Sequence, residues 1–75
     1  MSPRLPALKP AQVIAALQKA GFYVVRDTGK HTIMYRSGLA RPFPVPRHNK
    51  DLKRGTLLGI IKQAGLTPEG FSRYL

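Results

Sequence analysis

The sequence predicts an α+β fold with the element order α-β-β-β-α and a short helix at the C-terminal end. Two apolar stripes at helical spacing, each closed by a glycine, mark the outer helices, and three β-type segments separated by turn residues lie between them. Consecutive strands joined by short turns make an antiparallel three-stranded sheet. The helices are expected to bury their stripes on one face of that sheet.

Residues 1–9 are rich in proline and lack apolar periodicity, so they are expected to form a flexible arm before a single domain over residues 10–75. Pro10 suits the first turn of a helix. Val13, Ile14 and Leu17 follow at helical spacing with Ala16 and Ala20 beside them, and Gly21 supplies a left-handed stop. Phe22 to Arg26 and Thr32 to Arg36 predict a hairpin around a turn at Asp27 to Lys30. A second turn at Ser37 to Ala40 leads into Arg41 to Pro46. There Pro42, Pro44 and Pro46 aim their missing donors to one side, which predicts an edge strand.

Arg47 to Lys53 is a polar connector. Leu57, Leu58, Ile60, Ile61 and Ala64 then form the second apolar stripe, ending at Gly65. Thr67 as cap, Pro68 and Glu69 predict the short third helix, with Phe71, Tyr74 and Leu75 folding back on the body.

Thirteen Lys and Arg against three acidic residues give a formal charge of +10, spread from Arg4 to Arg73. A folded domain with that surface is expected to bind a polyanion, RNA before a membrane, since neither helix is a lysine-rich amphipath. Cysteine is absent, which removes disulfides and thiolate metal sites and fits a cytoplasmic location. The longest apolar run, Val13 to Leu17, is too short to span a bilayer. Asp27, Asp51 and Glu69 are dispersed at turns or a helix start, so their ordinary reading is capping, and no metal, cofactor or small-molecule ligand is expected.

Gly21-Phe22 opening a strand, Arg26 before the turn, Gly29-Lys30-His31 at the second strand and Val45-Pro46 at the third come in a definite order. Asn49-Lys50-Asp51-Leu52, Gly55-Thr56-Leu57 and Gln63-Ala64-Gly65-Leu66 complete it. Together these segments, from about Lys9 to Phe71, resemble the HicA toxin family. The resemblance implies a small fold like a double-stranded-RNA-binding domain that cleaves messenger RNA, as the toxin of a type II toxin-antitoxin system. It also implies neutralisation by a HicB antitoxin. The family's catalytic histidine falls on His31, preceded here by Lys30 where the family usually has serine. His48 lies where many members carry a histidine after the third strand.

The chemistry is consistent with that assignment. RNA carries its own nucleophile in the 2′-hydroxyl, so cleavage needs a base for that proton and cations for the charge growing on phosphate. Histidine is the side chain suited to proton transfer near neutral pH, which makes His31 the candidate general base of a metal-independent endoribonuclease. Lys30 and His48 are candidate auxiliary groups. Arg36, Arg47, Lys50, Lys53 and Arg54 are candidate RNA-binding residues, the last three running into the amino end of the second helix. The competing reading is a non-catalytic module that binds structured RNA, in which His31 is an incidental exposed residue. Tyr23 and Tyr35 are assigned to cross-strand packing rather than to base stacking.

Overall fold

A computed structural model of the chain describes residues 5–75. The elements are α1 (Pro10–Lys19), β1 (Tyr23–Asp27), β2 (His31–Tyr35), β3 (Phe43–Pro46), α2 (Arg54–Gln63) and α3 (Pro68–Ser72). The sheet order is β1-β2-β3 with both pairings antiparallel. This is the α+β architecture expected, with proline-rich β3 at one edge.

α1 begins on Pro10 and stops where Gly21 takes a φ of +96°, a left-handed conformation that costs a residue with a Cβ about 1–2 kcal/mol. Phe22 is then turned into the core. α3 is capped as expected, with the Gly70 N–H donating to Thr67 Oγ1 at 3.0 Å.

The core lies between the helices and the inner face of the sheet. In β2 and β3 the cross-strand pairs Thr32–Val45 and Met34–Phe43 point inward and are buried. Val13 and Leu17 from α1, Leu57, Ile60 and Ile61 from α2, and Phe71 from α3 close over them. Phe22 meets Phe43 edge-on at 5.7 Å between ring centroids. Side chains such as Phe43, Phe71 and Leu17, each at most 1% exposed, contribute about 1.5–3 kcal/mol apiece.

β1 behaves differently. All five of its residues are exposed, and the register slips by one residue between Val24 and Arg26. That bulge leaves Val25 without a partner and 53% exposed, with Tyr23 at 52% and Val24 at 41% beside it. Tyr23 packs edge-on against Tyr35 at 5.9 Å, the cross-strand pair expected.

Two expectations need correction. Residues 1–4 lie outside the described residues, but the remainder of the anticipated flexible arm is docked. Leu5 and Leu8 are buried in the core, and the Leu52 N–H donates to the Leu8 carbonyl at 2.8 Å. Two leucines three positions apart are enough to anchor an extended segment without any periodicity. At the other end Phe71 and Tyr74 pack on the body, whereas Leu75 is 48% exposed, because the chain passes the core at Tyr74.

Leu8→Ala should therefore lower stability by about 2–5 kcal/mol, the cost of emptying a core position, as measured by urea unfolding. A change within about 0.5 kcal/mol would mean that the segment is as loose as its composition suggests.

Candidate nucleic-acid interface

His31 is the first residue of β2 rather than part of the preceding turn. The chain reaches it through a locally closed loop. The Asp27 carboxylate accepts from the Gly29 N–H at 2.9 Å, and Gly29 takes a φ of +88°. Thr28 and His31 then bond three times: the Thr28 N–H and hydroxyl donate to the His31 carbonyl at 2.9 and 3.3 Å, and the His31 N–H donates to Thr28 Oγ1 at 3.1 Å. Both the N–H and the carbonyl of His31 are thus held by Thr28. Its side chain is exposed, and among the described residues no hydrogen bond engages its imidazole.

Side chains alternate along a strand, so with Thr32 and Met34 in the core, His31, Ile33 and Tyr35 face away from the helices. Pro46 is the cross-strand neighbour of His31, and the Arg47 N–H donates to the Lys30 carbonyl at 2.8 Å. The connector therefore leaves the sheet directly beside His31. The backbone thus brings Lys30, His31, Arg47 and His48 to one end of the sheet, with Arg47 and His48 lining a cavity on its helix side.

From there an open depression of about 360 Å³, lined by Pro46, His48, Lys50, Asp51, Lys53 and Thr56, leads to the start of α2. No side chain caps that helix and its first turn holds no acidic residue, so its leading N–H groups are left open at the end that borders this depression. Lys50, Lys53 and Arg54 are all exposed.

Arg47 and Arg36 are engaged differently. The Arg47 guanidinium is ion-paired with Asp27, tying the connector to the hairpin turn; with both side chains about half exposed, the pair positions more than it stabilises. Arg36 follows the last residue of β2, at the far end of the strand from His31 and about 16 Å away along it. Its guanidinium sits 4.6 Å from the centroid of the Phe22 ring and donates to the Ala20 carbonyl at 2.9 Å. Arg36 locks the end of α1 to the sheet and is out of reach of a phosphate at His31.

His48 Nδ1 accepts from the Lys50 N–H at 3.2 Å. With Nδ1 accepting that bond, Nε2 is the ring atom free to meet a phosphate oxygen. No group of three or more His, Cys, Asp or Glu gathers among the described residues. Nor is any described helix long and apolar enough to cross a membrane.

Sequence reasoning missed one residue in this region. Thr32 is 2% exposed, and its Oγ1 has no hydrogen-bond partner, an arrangement that costs about 1–3 kcal/mol. A threonine in a strand carries no signal for this, since the burial depends on Val45 opposite it.

Residues 10–66, more than half of the chain, match the family model described as HicA toxin of bacterial toxin-antitoxin. The match runs from the first residue of α1 to the residue after the Gly65 stop of α2, leaving α3 outside it. No curated protein matches the sequence.

Because Arg36 is a structural clamp, Arg36→Ala should cost about 1–2 kcal/mol of stability, and Arg36→Lys should recover little of it, since an ammonium lacks the planar face that stacks on Phe22. Unchanged melting of both variants would free Arg36 for a role in binding.

Proposed function

The chain belongs to the HicA toxin family of bacterial toxin–antitoxin systems, and on that membership we propose that it is a metal-independent endoribonuclease that cleaves mRNA with His31 as general base. The observation that carries the proposal is the setting of His31. Its imidazole is exposed and unbonded on a backbone held by Thr28, next to the strand end from which the cationic connector leads to the uncapped start of α2. A base must reach its proton without first giving up a hydrogen bond of its own, and the track brings phosphates to it.

In this mechanism the strand lies along the connector, with phosphates held by Lys50, Lys53 and Arg54 and by the N–H groups of α2. His31 removes the 2′-hydroxyl proton, and the 2′-oxygen attacks the adjacent phosphorus as the bond to the 5′-oxygen breaks, leaving a 2′,3′-cyclic phosphate and a 5′-hydroxyl that takes its proton from water. Lys30 supports the charge that develops on the phosphate oxygens, and the Nε2–H of His48 donates to a neighbouring phosphate. The ion pair between Asp27 and Arg47 keeps turn and connector in register, so that base and phosphate track move as one body. The base is a side chain, and the phosphates are held by side chains together with the backbone N–H groups of α2.

A toxin with this charge is held in check by its cognate antitoxin, here proposed to be of HicB type with an acidic face. Such a protein would cover His31 and the connector and block cleavage by occlusion, with opposite fields speeding the encounter. The exposed Tyr23 and Val25 on neighbouring β1 supply apolar area that a stable complex needs beside the charges.

His31→Ala should abolish cleavage of a purified mRNA while leaving the fold and most RNA affinity in place, since the side chain touches no core residue. Cleavage at near wild-type rate would instead favour a binding module whose histidine is incidental. EDTA should leave wild-type activity intact, and loss of activity restored by Mg²⁺ would contradict the side-chain mechanism. Affinity should fall steeply with salt, and joint replacement of Lys50, Lys53 and Arg54 by alanine should weaken all RNA sequences alike. A flat salt profile would argue against phosphate contacts there.

A further inference from the structure

A second cavity opens at the same end of the molecule, on the helix side of the sheet. It measures about 260 Å³ and lies between α1 and the β1–β2 hairpin, with Ile14 and Val24 on its walls and Gln18, Asp27, Thr32 and His48 among its polar lining. His48 also lines the depression that leads to α2, so the two cavities share a rim. We propose that this cleft is a nucleobase subsite, in which one base of the bound RNA strand, guanine by preference, inserts while its phosphates lie on the connector. The inference rests on the RNA reading above.

Three features select the ligand. The volume falls just below the range of about 300–1,000 Å³ usual for a whole small-molecule ligand, which suits a flat base rather than a complete nucleotide. The walls are aliphatic on two sides, as a ring face requires. Its polar groups are of the kind that read a base edge. The Asp27 carboxylate bonds to Arg47 and to the Gly29 N–H yet retains free lone pairs, and guanine presents two adjacent N–H donors to a carboxylate. Uracil has no amino group to offer it.

Thr32 is the independent sign of a ligand. Its hydroxyl is buried in the cleft wall without a partner, although a valine of the same shape would pack there at no polar cost. A base carbonyl or ring nitrogen entering the cleft would give that hydroxyl an acceptor.

The test uses the full chain and 2′-O-methyl hexamers, which lack the nucleophile and stay intact, one of uridine throughout and one with a single internal guanosine. Fluorescence anisotropy should show the guanosine strand binding about fivefold tighter or more, the low end of what a paired edge contact supplies. Thr32→Val and Ala11→Phe, the second a bulky group at the cleft's exposed lip, should each bring the two strands level while leaving the uridine strand's affinity unchanged. Thermal melting confirms that both variants are folded. Equal binding of the two strands by the wild type, or preference retained in both variants, would overturn the subsite. A uridine strand whose binding is insensitive to salt would instead overturn the phosphate track.

Discussion

Thr32 and Met34 have to point into the core, because β2 is the one strand with a neighbour on each side and its inner face carries the contacts to Val45 and Phe43. Alternation along the strand then leaves His31 no choice of direction. It must project from the face without helices, next to Pro46 and the first residues of the connector. A register slip of one residue would bury the imidazole and expose methionine. The position of the proposed base is thus set by the same packing that stabilises the domain, and the hairpin turn refines it rather than creating it.

The charges divide along similar lines. Arg36 and Arg47 are tied to Phe22, the Ala20 carbonyl and Asp27, so they hold elements together. Lys50, Lys53 and Arg54 stand exposed around an uncapped helix start, where they cost the fold little. An excess of positive charge repels itself, and a domain of this size tolerates it because the cations lie on the surface while buried apolar side chains carry the stability. An acidic antitoxin would relieve both that repulsion and the exposure of β1.

Much of this was legible in the sequence. Glycines at 21 and 65, the alternating prolines of β3 and the Thr67-Pro68-Glu69 cap are local signals, each acting through its own backbone geometry, and each element they predict is present. His31 and the connector lysines are likewise proposed from local signals, as residue types in a recognisable order. What stayed hidden depends on contacts between residues far apart in the chain. The docking of Leu8 requires Leu52, the clamp of Arg36 requires the end of α1, and the unpartnered hydroxyl of Thr32 requires burial by its neighbours across the sheet. Charge counts in particular cannot tell a binding arginine from one stacked on an aromatic ring.

The central claim is that a side-chain base activates the RNA's own 2′-hydroxyl, and the chemistry of the cut ends tests it most directly. Mass spectrometry of a cleaved oligoribonucleotide should find 2′,3′-cyclic phosphate and 5′-hydroxyl termini, and a single 2′-deoxy substitution on the 5′ side of the scissile phosphate should stop cleavage there. Products ending in 5′-phosphate, or unimpaired cleavage of the deoxy-substituted strand, would show that water is the nucleophile and contradict the account.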